Sequence, residues 1–277
     1  VSAINIVPNR TLLMAMKRSL RTFALASVAA SAAAAGIVQQ DAEALLQVGA
    51  TVEGSDAKGC GCLKWEHVYT KLGAKCGDGR ELPLTSTDEQ NKSAIFQKFC
   101  MGFYNKLYGA FCPNIYFETQ RTEQWCYVSA ECEVLNGGGA AGGLKWKVCT
   151  AKDALMRAKT PQQLMKLIKG QNKDAGLVLK LAFPTYEGGL EWPDVQKCLK
   201  GAGDEKKCAE FERVQAAKNP MVFNSNASTP PFGFITDKSV MELHYNEASQ
   251  KALDRGEDLS SYPGQLSDFV CRSGCSI

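Results

Sequence analysis

The chain has 277 residues, 45% of them hydrophobic and 22% charged, values of a globular protein with room for one large domain or two ordinary ones. Its net charge of +3 is local: residues 1–35 hold Arg10, Lys17, Arg18 and Arg21 and no acid, so without them the body stands at −1. A near-neutral body lacks the basic footprint that phosphate backbones require, which argues against nucleic-acid binding. There are 12 cysteines, none before Cys60, and an even count of this kind points to paired disulfides in an oxidising compartment.

Two other uses of those cysteines compete with that reading. One is a reduced cytosolic protein with buried thiols. The other is structural zinc, but His67 and His244 are the sole histidines and no pair of CxxC knuckles exists, so zinc would need all-cysteine sites with irregular spacing.

Lys17, Arg18 and Arg21 precede the 13-residue run Phe23 to Ala35, with Ala33 and Ala35 in an A-x-A context, the pattern of a secretory leader. The run is too short for a membrane span, which takes about 20 apolar residues, and no other segment approaches that length. The chain begins at Val1, which fits either translation from Met14 or Met16 or a longer bipartite address of the kind that reaches a thylakoid lumen. Residues 36–55 read as a linker, with a short amphipathic patch at Leu45-Leu46.

Cys60-Gly61-Cys62 opens the cysteine-rich part, and the two thiols are too close in extended chain to bridge to each other, so they are expected to take different partners. Cys76-Gly77-Asp78-Gly79 reads as a turn. Residues 88–108 read as one helix, capped by Thr87 or Asp88, with Ile95, Phe96, Phe99, Cys100, Phe103 and Leu107 on a core-facing stripe. Cys112-Pro113 ends it, and Ile115-Tyr116-Phe117 is expected to start a short strand.

The stretch Gln124 to Cys149 concentrates Trp125, Cys126, Cys132, Trp146 and Cys149 around glycines 137–139 and 142–143. Large apolar groups beside cysteines are what a chain uses when cross-links supplement a thin core. Trp125-Cys126-Tyr127 followed by Trp146-Lys147-Val148-Cys149 resembles the closing half of kringle and fibronectin type II modules over about a tenth of the chain. The extra Cys132 and the lack of an opening half mean that no kringle ligand groove is carried over. In broader texture the alanine-rich leader, Trp125 to Cys132 and the Asn136-Gly137-Gly138-Gly139 turn are similar to cysteine-rich, secretory-targeted proteins of dinoflagellate-type algae. That resemblance implies a compartment and no reaction.

After Cys149 helices are expected. Thr160-Pro161 starts the first, with Leu164, Leu167 and Ile168 inward; Asp174 caps the second, Trp192-Pro193-Asp194 opens the third, and Asp204 caps the fourth. Cys198 and Cys208 flank Gly201-Ala202-Gly203 at a spacing that suits a bridge across a helical hairpin. Residues 224–231 read as a loop, Asp237 as the cap of a helix from Lys238 to about Asp254, and Cys271 with Cys275 as staples for the tail.

Catalytic patterns are sparse. His67 and His244 have no neighbouring nucleophile motif, and the glycine run from 137 lacks the lysine and serine of a phosphate loop. Asn91-Lys92-Ser93 and Asn226-Ala227-Ser228 are glycosylation sequons.

The expectation is therefore an α+β protein, with a leader over 1–35, a linker over 36–55, a disulfide-rich domain over 56–150 and a helical, disulfide-stapled region over 151–277. All twelve cysteines, Cys60, Cys62, Cys76, Cys100, Cys112, Cys126, Cys132, Cys149, Cys198, Cys208, Cys271 and Cys275, are assigned to disulfides. The expected role is non-catalytic contact with protein partners in an extracellular or thylakoid-lumenal space, without cofactor, metal or nucleic acid. One version is a peripheral lumenal subunit or linker of an algal photosynthetic membrane complex. Exposed parts of Trp65, Trp125, Trp146 or Trp192 are the expected anchors. The alternative is a secreted carbohydrate-binding protein or a hydrolase using two facing carboxylates.

Overall fold

In the computed structural model the residues described are 59–83, 89–225, 230–257 and 263–275. The expected leader and linker, the caps Thr87 and Asp88 and the sequon at Asn226 lie outside them, as do the side chains at Asn91 and Lys92 of the other sequon.

Helix α1 (Trp65–Thr70) and α2 (Glu89–Phe96) precede the first sheet, whose strands are β1 (Trp125–Val128), β2 (Gly139–Ala141) and β3 (Leu144–Val148) in the antiparallel order β1-β3-β2. Its register sets Tyr127 and Gly139 opposite Trp146 on the central strand. Four helices follow: α3 (Pro161–Gly170), α4 (Ala175–Ala182), α5 (Trp192–Leu199) and α6 (Glu205–Ala216). The last part holds β4 (Met221–Phe223), β5 (Phe232–Thr236), β6 (Ser239–Tyr245), α7 (Glu247–Asp254) and β7 (Ser267–Ser273), with a second antiparallel sheet ordered β4-β5-β6-β7. The chain is thus an α+β mixture.

The start signals of the middle helices act as read. The Thr160 hydroxyl accepts from Gln163 N at 3.2 Å while the Gln163 side chain accepts from Thr160 N at 2.9 Å. Asp174 caps α4 by accepting from Leu177 N at 2.6 Å, and Asp204 caps α6 by accepting from Lys207 N at 3.0 Å.

Three element expectations fail, each for a local reason. Residues 88–108 are not one helix: α2 stops at Phe96, a wide π-turn covers Gln97–Met101, and a 3₁₀ turn covers Tyr104–Lys106. Gly102 donates to Gln97 O at 2.9 Å, and a Cβ there would lie 2.5 Å from Lys98 O, so the wide turn is built on a glycine. Phe96, expected in the core, is 38% exposed as a result. Ile115 to Phe117 form a bend and turn, not a strand; Phe117 packs edge-on against Phe99 at 4.8 Å, so the apolar residues serve burial and not pairing.

The third failure is larger: residues 239–245 are strand, and 151–277 is not simply helical. Asp237 does not cap a helix but takes φ 52° in the tight turn joining the paired residues Thr236 and Ser239. On one face of this sheet Phe232, Phe234, Met241 and Leu243 join the cluster of Leu164, Val178 and Leu181; on the other Ile235 and Val240 join Trp192, Val195 and Phe211. Helices therefore cover both faces. Gly233 permits this, because a Cβ there would meet the Trp192 ring at 1.7 Å. The larger cluster runs from Trp65, Tyr104 and Trp125 through Leu164 and Val178 to Phe232 and Leu243.

All twelve cysteines are paired: 60–132, 62–126, 76–100, 112–149, 198–208 and 271–275. The two thiols of Cys60-Gly61-Cys62 go to different partners, and the helical hairpin carries its bridge with Gly203 packed against both sulfurs. Cys271 and Cys275 bridge to each other, so the expected staple of the tail onto the body is a local loop instead. Closing loops of 72, 64 and 37 residues removes about 3.5–4.5 kcal/mol of unfolded-state entropy per bridge on a chain-entropy estimate.

One buried cation tests how this core tolerates charge. Lys173 is fully buried, its Nζ donates to Phe103 O at 2.9 Å, and burial, with Lys106 nearby, holds its amine down at about 7. A folded value below the usual 10.5 gives stability that is complete above 10.5 and is lost as pH falls through about 7. Lys173→Met abolishes this dependence. Urea denaturation across that window is expected to show the variant gaining on the wild type as pH is lowered, and parallel curves would refute it.

Candidate functional site

Three of the four expected tryptophan anchors offer no surface. Trp65, Trp125 and Trp192 are at most 1% exposed, and only Trp146 is half-buried, beneath Arg80 with the guanidinium 4.8 Å from the ring centre. The tryptophans are core for a packing reason: Trp65 and Trp125 meet edge-on at 5.1 Å, with Tyr104 and Tyr127 within 5.6 Å of Trp65. Trp65 Nε1 spends its hydrogen bond on Phe111 O at 2.8 Å, and Trp192 Nε1 on Glu242 at 3.0 Å.

Two buried carboxyls lie in this framework. Glu81 accepts from Tyr127 at 2.6 Å and Tyr69 at 2.9 Å on one oxygen and from Gly79 N at 3.0 Å on the other; burial still pushes its pKa up. Glu242 shows the opposite balance. Burial pushes it up, but hydrogen bonds from Arg272, Gln196 and Trp192 outweigh that and hold it below the usual range. His244 Nδ1 stands 3.7 Å from the same carboxylate, while His67 lies on α1. Neither histidine is placed beside a serine or cysteine nucleophile by any of these contacts.

An open, largely apolar hollow lies elsewhere, between α3 and the edge of the second sheet. Met165, Met241 and Phe269 form its floor, and Pro161, Lys166, Lys169 and Asp268 its walls, around about 490 Å³. A second hollow of about 910 Å³ shares Pro161, Gln162, Met241 and Phe269 with it and extends to Arg157, Lys159, Asp237 and Arg272. Together they make one groove. Four cationic side chains line it, Arg157, Lys159, Lys166 and Lys169, against two acidic ones, Asp237 and Asp268, while the guanidinium of the bordering Arg272 is spent on Glu242. Lys159 packs 4.2 Å over the Phe111 ring, and burial lowers its pKa.

The groove follows β7, an edge strand. The opposite edge, β4, is covered by the segment through Thr185: Val222 N donates to Pro184 O and Tyr186 N to Val222 O, both at 2.8 Å. Among the described residues β7 pairs with β6 alone, so one row of its backbone donors and acceptors has no strand partner. An apolar floor of two methionines and a phenylalanine beside an open edge accommodates varied side chains of an extended ligand.

The chain matches no family model, no curated protein and no solved structure.

Sequence reasoning missed the groove because it placed Met241 on a helix and left Phe269 unassigned. The available signal was alternation: Phe232, Phe234 and Met241, Leu243 on one face, either side of Asp237. The polar wall is cheap to alter. Lys169 and Asp268 pair at 2.6 Å with both side chains about 40% exposed, and such pairs contribute at most about 1 kcal/mol. Lys169→Ala is expected to lower unfolding free energy by less than that in chemical denaturation, leaving a folded chain for binding work.

Proposed function

We propose that this is a non-catalytic, disulfide-stabilised protein of an oxidising extracellular or lumenal space, which works by holding an extended segment of a partner protein in the groove along β7. The observation that carries the reading is that groove: an apolar, methionine-containing floor, a surplus of cations and an unpaired strand edge in one place. A strand added to β7 gains backbone hydrogen bonds, its alternate apolar side chains meet Met165, Met241 and Phe269, and its acidic side chains meet the lysines and Arg157. In this reading the cysteine-rich part, 56–150, supplies the rigid frame and the part from 151 to 277 the contact surface.

The compartment is supported by the pairing of every cysteine, and no helix among the described residues is long and apolar enough to cross a membrane. The finer version, a peripheral lumenal subunit or linker of an algal photosynthetic complex, rests on the leader and on the resemblance to algal secretory-targeted proteins. It predicts that the native protein, after gentle membrane isolation, migrates with a large complex, begins near Gly36 and gains mass on reduction for six bridges. Migration alone refutes that version.

The groove is tested with synthetic peptides that alternate apolar with acidic residues, against matched peptides that alternate apolar with basic ones. Binding of the acidic series, with hydrogen-exchange protection at residues 267–273, is expected. Lys166→Glu with Lys169→Glu should weaken it at least about 10-fold, the equivalent of 1.4 kcal/mol. Equal binding of both series, or no protection on β7, would sink the proposal.

A further inference from the structure

Two of the six bridges lie against each other. Cys62 Sγ is 3.6 Å from Cys112 Sγ and 3.8 Å from Cys149 Sγ, so the Cys62–Cys126 and Cys112–Cys149 bridges are in van der Waals contact. All four sulfurs fall within 4.8 Å of one another. A tetrahedral zinc tetrathiolate, with Zn–S near 2.3 Å, needs sulfurs about 3.8 Å apart. The two distances from Cys62 to the other bridge already meet that requirement, no pair is farther apart than 4.8 Å, and the two bonded pairs must each separate by about 2 Å.

The surroundings suit a closed site. Cys112, Cys126 and Cys149 are buried and Cys62 partly so, among Val128, Leu135 and Leu155. The chain positions are fixed independently of the bridges: Cys112 N donates to Ala154 O, Cys149 N to Gln124 O, and Leu63 N, next to Cys62, to Tyr127 O. A zinc tetrathiolate carries a charge of −2. The nearest charged group is Asp153, its Oδ1 3.6 Å from Cys62 Sγ, and Lys147, with its side chain 9% exposed, offsets that acid with Nζ 2.8 Å from the same oxygen.

We propose that Cys62, Cys112, Cys126 and Cys149 form a tetrathiolate site for zinc or a similar thiophilic divalent cation when the two bridges are reduced. The site and the two bridges are mutually exclusive states of the same four sulfurs. The step from bridges to site balances with a phosphine as reductant. Each bridge takes two electrons from one phosphine, which leaves as phosphine oxide with a water oxygen, and the four thiols so formed release four protons on binding Zn²⁺. This goes beyond the groove reading and does not depend on it.

The test is anaerobic titration of the full chain with Co²⁺, a spectroscopic stand-in for zinc, after phosphine reduction. One Co²⁺ per chain is expected, with the thiolate charge-transfer and intense visible bands of a tetrahedral tetrathiolate, and no uptake by the oxidised chain. Iodoacetamide labelling with peptide mapping should find Cys62, Cys112, Cys126 and Cys149 protected and the remaining cysteines alkylated. Cys198→Ser with Cys208→Ser keeps the bands, and Cys112→Ser with Cys149→Ser loses them. Because the last variant can fail by misfolding, the protection map on the unaltered sequence decides independently. Absence of bands in the reduced chain, equal uptake by the oxidised chain, or protection of other cysteines overturns the proposal.

Discussion

Everything else in this fold depends on how the segment entering at Cys60 is fixed to β1. Cys60 and Cys62 are bound to Cys132 and Cys126, and next to the second bridge Leu63 N donates to Tyr127 O at 2.8 Å. That attachment sets Trp65 edge-on to Trp125 and closes an aromatic cluster which neither α1, with six residues, nor the three short strands would hold alone. The covalent link limits the unfolded chain, and the rings supply the apolar burial.

The same strand reaches the rest of the molecule through buried amides. Gln124, just before β1, donates from Nε2 to Asn114 Oδ1 at 2.8 Å and to Ala182 O at 3.0 Å. Asn114 in turn donates from Nδ2 to Lys180 O at 3.0 Å and from its backbone to Leu181 O at 2.7 Å. Three successive carbonyls at the end of α4, which the helix itself leaves unpaired, are thereby satisfied. Both amides are 1% exposed, so loss of either would strand a partner inside the core. The contact is polar, but its effect is to orient α4 under the second sheet, where Phe183 stacks on Phe234 at 5.9 Å.

Legibility in the sequence followed the range of the forces involved. The caps at Thr160, Asp174 and Asp204, the hairpin bridge from Cys198 to Cys208 and the split partners of Cys60 and Cys62 are set by residues a few positions apart or by strain that spacing reveals. The burial of Trp65, Trp125 and Trp192 was not legible, because tryptophan beside cysteine serves equally as a surface anchor or a core ring until the partners are known. Strand β6 was missed for a related reason. Val240, Leu243 and His244 fit a helical face as well as a strand, and the turn at Asp237-Lys238 lacks the glycine that usually marks a two-residue hairpin. Its register is enforced instead by burial on both sides, under the α4 cluster and under Trp192.

That double burial explains why the second sheet has a single open side. Its faces are taken by helices and β4 is closed by the Thr185 segment, which leaves β7 as the only edge without a backbone partner among the described residues. Natural edges of this kind are protected against random pairing by charge and irregularity. Both are present: Lys169 pairs with Asp268 on the strand, Arg272 lies within it, and the pairing of β6 with β7 shifts register between Val240 and Met241. The Cys271–Cys275 bridge adds a covalent kink where the strand ends, and the Cys275 sulfur rests 3.4 Å from Met241 Sδ on the groove floor. In the proposed reading, the cations that repel a like-charged strand also select for an acidic one, so protection of the edge and choice of partner come from the same side chains. In that reading a heavily cross-linked frame loses little further entropy on binding such a segment, while the methionine floor adapts to its side chains.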